Sequence, residues 1–148
     1  MKIIAVNKKA YFNYFISDEL EVGIALEGSE VKSARAGHVS IGESFVKISA
    51  QGEAFLQNAY FKPYENASVF VPESRRNRKL LLHKKQILNL KKKSEAEGFT
   101  IVPLKIYFDK NGRVKLQIGL GKGKKLYDKR ETLKTRTIQR TMNRYRTN

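Results

Sequence analysis

The sequence predicts a mainly β domain with two flanking helices, built as a small antiparallel barrel or sandwich and followed by a basic tail. Three observations lead there. The pairs Asn111-Gly112 and Gln51-Gly52 each sit between two runs of alternating apolar and polar residues, the signature of a hairpin. Two helical stretches close on glycine, at Gly37 and Gly98, where a left-handed residue ends a helix at little cost. Composition then changes abruptly after Leu120.

Taken in order, residues 11–26 read as extended. Residues 27–36 form a short helix with Glu30 in its first turn. Residues 44–50 and 53–61 make the first hairpin. Residues 72–97 read as one long helix, with Leu80, Leu81, Lys84, Ile87 and Leu88 on one stripe against the barrel and Leu82 on the opposite side. In the second hairpin Val102, Leu104, Ile106 and Phe108 share a face, as do Val114, Leu116, Ile118 and Leu120. The other face carries Lys105, Tyr107, Arg113, Lys115 and Gln117. A type I′ turn at Asn111-Gly112 joins the two strands, with both central residues at positive φ.

These elements define a body of residues 1–121 and a tail of residues 122–148. Gly119, Gly121 and Gly123 read as a flexible exit from the last strand. In the tail, Asp128 and Glu131 have capping-box spacing, Ile138, Met142 and Tyr145 form a thin apolar stripe, and Arg136, Arg140 and Arg144 a parallel basic one. An apolar face that narrow cannot hold such a cationic helix by itself, so the tail is expected to be disordered when free and helical when bound.

Charge selects the partner. The chain of 148 residues has 30 Lys and Arg against 14 Asp and Glu, a net of +16. The last 27 residues hold 10 of those cations and 2 of the acids. A compact body with a concentrated cationic tail is suited to a polyanion, nucleic acid before anionic membrane. With no cysteine, the chain offers no disulfide or thiolate chemistry, which fits a reducing compartment. No signal peptide and no apolar run of membrane-spanning length is evident, so a soluble, cytoplasmic protein is expected.

No catalytic motif emerges. His38 and His83 lie far apart without nearby carboxylates, and no P-loop or nucleophile elbow is present. Asp18, Glu19 and Glu21 cluster and read as a polar turn between strands; the competing reading is a Mg²⁺ site of a small nuclease. No enzyme, cofactor or metal is expected. A non-catalytic RNA-binding adaptor and a general single-strand binder or ribosomal protein both fit the charge.

Four segments carry a resemblance. Asn7-Lys8-Lys9-Ala10, Gly28-Ser29-Glu30-Val31-Lys32-Ser33, Arg78-Lys79-Leu80-Leu81-Leu82-His83-Lys84 and Gly123-Lys124-Lys125-Leu126-Tyr127-Asp128-Lys129-Arg130-Glu131-Thr132 resemble the SsrA-binding protein family, also called small protein B. The resemblance runs in order along nearly the whole chain. It implies an oligonucleotide-binding-type barrel whose partner is the tRNA-like domain of transfer-messenger RNA (tmRNA, the SsrA RNA). It further implies delivery of that RNA, charged by alanyl-tRNA synthetase and carried with elongation factor Tu and GTP, to bacterial ribosomes stalled without a codon. The tail then occupies the vacant mRNA channel and decoding centre. A monomer is expected, with no membrane partner.

The resemblance and the residues together nominate two groups. The RNA-binding group on the body is Glu30, Lys32, Arg78, Lys79, Leu82, Lys105, Tyr107, Arg113, Lys115 and Leu120. Glu30 either contacts the RNA, orients a basic neighbour, or simply favours the helix N-terminus. Lys115 contacts phosphate or merely solvates the strand, Tyr107 is expected to stack, and Leu120 has the simpler role of closing the core face. The ribosome-binding group is Lys122, Gly123, Lys124, Lys125, Tyr127, Asp128, Lys129, Arg130, Lys134, Arg136, Arg140 and Arg144. The far tail departs from the family pattern in having no acid after Glu131 and in ending with Tyr145-Arg146.

Overall fold

A computed structural model describes residues 2–63 and 72–124. The expectations for the tail from Lys125 onward, including Tyr127, Asp128, Lys129, Arg130, Lys134, Arg136, Arg140 and Arg144, fall outside the described residues.

The element order is β1 (Lys2–Val6), α1 (Lys8–Asn13), β2 (Tyr14–Ile24), α2 (Gly28–Arg35), β3 (Val39–Ser40), β4 (Phe45–Ile48), β5 (Ala54–Gln57), β6 (Tyr60–Phe61), β7 (Arg78–Leu81), α3 (Lys84–Glu97), β8 (Thr100–Phe108) and β9 (Val114–Gly123). Among the described residues seven strands form one antiparallel sheet in the order β1-β8-β9-β2-β7-β5-β4, and β3 pairs with β6. The sheet curls so that β4, at one edge, comes against β8 near the other. Its inner face holds the main core, with Leu56, Leu80, Ile106, Leu116, Ile118 and Leu120 closed off from solvent. The mainly antiparallel β class with a few helices is therefore as expected.

Several local expectations need correction. Residues 72–97 are not one helix: β7 occupies Arg78–Leu81, and α3 begins only at Lys84. Residues 78–81 alternate buried, exposed, buried, exposed, the period of a strand. An inward-facing arginine hides that alternation from a hydropathy reading. The core stripe of α3 is accordingly Ile87 and Leu90, while Leu81 and Leu88 are exposed. Its C-terminus at Gly98 (φ 69°) matches expectation, as does that of α2 beside Gly37 (φ 76°).

The β8–β9 hairpin forms, but its turn is not type I′. Gly112 has φ 74°, whereas Asn111 is not at positive φ. The Asp109 carboxylate accepts from the Asn111 and Arg113 N–H groups at 2.9 Å each, and this Asx geometry shapes a longer turn. Nor does β8 keep one alternation throughout. A register shift between Pro103 and Lys105 sends Val102 and Leu104 to a second core beneath α1 with Ala10, while Ile106 and Phe108 join the main core. A bulge reverses the face of every residue beyond it.

Asp18 and Glu19 do not separate two strands. They form a bulge inside β2, where Asp18 takes φ 51° and the register shifts between Ser17 and Leu20. Among the described residues no group of three His, Cys, Asp or Glu is placed to hold a metal ion. Residues 8–13, part of them read as extended, form α1, capped by the Asn7 side chain.

The glycines of β9 are not an exit either. Pairing with β2 continues through Gly123, two residues past the expected end of the body. A Cβ on Gly121 would meet Tyr14 atoms at 2.9 Å, and one on Gly119 would meet Ile16 Cγ2 at 2.9 Å. These two glycines let the β2 side chains lie down on the strand. Lys124 is tied back as well, its N–H donating to the Asn13 carbonyl at 2.9 Å.

Candidate nucleic-acid interface

One row of paired residues runs across the outer face of the sheet. Gly23 on β2 is paired with Leu81 on β7 and with Lys115 on β9, and Lys115 is paired with Tyr107 on β8. Directly paired residues share a face, so Leu81 and Lys115 flank the one position without a side chain. The floor at Gly23 is tight: a Cβ there would sit 3.2 Å from Leu81 Cβ. Two depressions of about 330 and 390 Å³ share Gly23, Leu81 and Lys115; the larger is completed by Glu21, Leu82, His83 and Gln86. The smaller reaches Arg113 on the hairpin.

The chemistry here is mixed. Leu81 exposes 54 % of its surface, an apolar face available to a base or sugar. Lys115 and Arg113 supply positive charge suited to phosphate. Glu21 brings a carboxylate, and the Tyr107 hydroxyl donates to its Oε2. Burial and that carboxylate push the Tyr107 phenol well above its ordinary value, so it stays protonated as donor. Lys105 Nζ stands 5.8 Å from the Tyr107 ring centre.

Not every residue nominated from sequence belongs to this face. Lys115, Arg113 and Lys105 lie on it. Tyr107 is only 2 % exposed, so it serves as the anchor of Glu21 rather than a stacking platform. Leu82 is partly buried against the main core while still lining the larger depression, and the exposed leucine of that segment is its neighbour Leu81. Leu120 is wholly buried. Lys32 and Lys79 are surface residues outside the groove, and Lys122 is exposed near the end of β9. The glutamate that reaches the groove is Glu21, which the reading of the acidic cluster as a polar turn obscured. Only its pairing with Tyr107 and its place two residues before Gly23 reveal it.

Glu30 and Arg78 turn inward. Glu30 is 4 % exposed and Arg78 fully buried, so Arg78 is not a phosphate-facing residue. Glu30 Oε2 accepts from Arg78 Nε at 2.7 Å and from Arg76 Nε at 3.1 Å, and Oε1 accepts from the Glu27 N–H at 2.8 Å and Arg76 Nη2 at 2.5 Å. Arg78 also donates to the carbonyls of Ala59 and Ser74, and its guanidinium lies 4.1 Å over the Phe61 ring. Burial pushes the Glu30 carboxyl up, but the hydrogen bonds from Arg76 and Glu27 and the charge of Arg78 outweigh it and hold the group below its usual range. The cluster ties α2 to β7.

A curled antiparallel sheet with a cationic, partly apolar groove on its outer face defines a small basic β-domain suited to a polyanion. A family model described as "SmpB protein" matches residues 4–148. The chain belongs to the SmpB family. It is 52 % identical over 139 residues to an SsrA-binding protein of Parvibaculum lavamentivorans, covering 94 % of this chain and 84 % of the relative. It is 49 % identical over 144 residues to one of Persephonella marina, covering 97 % and 93 %. It is also similar to a chain of the solved structure described as "tmRNA-SmpB: a journey to the center of the bacterial ribosome". The identity there is 47 %, the TM-score 0.67 and the coverage 82 % of this chain and 85 % of the other. Among the described residues no helix is long and apolar enough to cross a membrane.

Proposed function

We propose that this chain is a non-catalytic RNA-binding adaptor of trans-translation. It binds the tRNA-like domain of tmRNA and brings it to stalled ribosomes. The observation that carries the reading is the convergence of Leu81, Lys115 and Glu21 around Gly23, in a chain that matches the SmpB family over residues 4–148. An apolar surface, a phosphate-seeking cation and a carboxylate acceptor within one groove suit a folded RNA with exposed bases and 2′-hydroxyls.

The basic tail from Lys125 onward is assigned to the ribosome, with the exposed Lys122 at the end of β9 beside its root, and it lies in the vacant mRNA channel and decoding centre. Elongation factor Tu with GTP, and alanyl-tRNA synthetase, are partners of the RNA rather than of the groove. The setting is the cytoplasm.

The test is a salt-controlled titration of the full chain against the tRNA-like domain, with unstructured RNA of equal length as competitor. The expected result is tight binding that survives excess competitor, and that truncation before Tyr127 leaves largely intact while abolishing peptidyl transfer to the RNA's alanine. Equal binding to both RNAs would instead support a general basic binder.

A further inference from the structure

The outer face of the sheet does not stop at the groove. On β7 the exposed positions are Lys79 and Leu81, and Lys79 is paired with Phe55 on β5, which is paired in turn with Lys47 on β4. Lys47, Phe55 and Lys79 thus form a row across three strands, one step from the Leu81–Gly23–Lys115 row. Beside it Phe45 is paired with Gln57. Phe45 is 44 % exposed, and it stands diagonal to Phe55 at the ~7–8 Å separation usual for such pairs. Phe55, Gln57 and Asn77 line a depression of about 380 Å³ together with Lys47, Ser49 and Ala50.

We propose that this face is a second RNA subsite, a shelf on which unpaired nucleotides of the bound RNA stack while the groove holds the folded part. The proposal rests on the RNA-binding reading above. Phe55 is a partly exposed ring bracketed by two lysines, an arrangement that stacks any base and neutralises the phosphates on either side of it. Gln57 and Asn77 add amides, which both donate and accept, to the lining of the same depression, suited to the hydrogen-bonding groups of a base. Among the described residues Glu53 approaches Lys79, only at 3.9 Å and with both side chains about half exposed. A contact that loose yields readily to phosphate. Double-stranded RNA does not fit the arrangement, because its bases are stacked internally and out of reach of a flat ring. Continuity with the groove through Lys79 and Leu81 lets one strand run from shelf to groove.

Hexauridylate, which cannot pair with itself, is the probe. The full-length chain is expected to bind it, with Phe55→Leu weakening it about ten-fold through lost base stacking. The surface pair Lys47→Gln with Lys79→Gln, which leaves the core untouched, should reduce the salt slope by roughly 1.4, about 0.7 for each phosphate released. Lys115→Gln should weaken the tRNA-like domain markedly more than hexauridylate. Absence of hexauridylate binding, or unchanged affinity in both shelf variants, would overturn the shelf. Equal loss on Lys115→Gln would merge it with the groove and overturn it as a separate subsite. Loss of selectivity for the tRNA-like domain with hexauridylate results as expected would instead count against the adaptor reading alone.

Discussion

Arg78 donates from Nε to Glu30 Oε2 at 2.7 Å across 48 residues of chain, and both side chains are buried. The pair joins the first turn of α2 to the start of β7, the strand whose next exposed positions, Lys79 and Leu81, face outward. What resembles a surface motif for RNA is here a buried fastening beneath β7.

Removing the carboxylate strands a buried guanidinium. Glu30→Ala is expected to cost about 3–5 kcal/mol, as breaking one partner of a buried pair does. Arg76→Ala, which removes the more exposed partner, should cost about 1 kcal/mol. Urea unfolding midpoints for the two variants would separate them; equal midpoints would contradict the buried-pair account.

The same pair sets a pH dependence. The folded Glu30 carboxyl lies below its unfolded value of about 4.3, so its stabilisation is fully present above that pH. It is lost as the pH falls through the folded value. The Tm difference between wild type and Glu30→Gln should therefore be constant from pH 6 to 8 and shrink below about pH 4. A difference that grows in acid would reverse the assigned direction.

Gly121 and Gly123 should behave oppositely. A methyl on Gly121 runs into Tyr14 at 2.9 Å, while one on Gly123 meets nothing within 4 Å. Gly121→Ala is expected to destabilise by about 1–3 kcal/mol, and Gly123→Ala to stay within about 0.5 kcal/mol of wild type. Thermal melts of the two single variants decide the matter.

At the groove, Lys115→Gln should weaken tRNA-like RNA and lower the salt slope by about 1. Leu81→Ala should weaken binding without changing that slope, since it removes contact area and no charge. Both residues are at least partly exposed, so melting temperatures should move little. A salt slope altered by Leu81→Ala would mean that the RNA had been repositioned.

Much of the fold was legible beforehand because turns and caps are local. Gly37, Gly98, Gly52 and Gly112 all take positive φ where the chain was expected to end a helix or turn a hairpin. The misreadings share one cause: residues whose role is set by something distant. Arg78 looks solvated until Glu30 arrives from α2. Tyr107 looks like a stacking platform until Glu21 arrives from β2. The bulges in β2 and β8 reverse the facing of residues without altering local composition, and no periodicity count detects a one-residue slip.

By itself the sequence determined the class of the body, the hairpins, the sign of the charge and the family. Each of these is carried by neighbouring residues or by a sum over the chain. Tertiary structure decided which leucine, which glutamate and which aromatic face outward. Leu81 is the more exposed leucine of the groove, and Glu21 rather than Glu30 reaches it, because strand pairing through Gly23 brings β2, β7 and β9 side by side. Which face of a strand is buried depends on the register with its partner, and that register is a property of the assembled sheet.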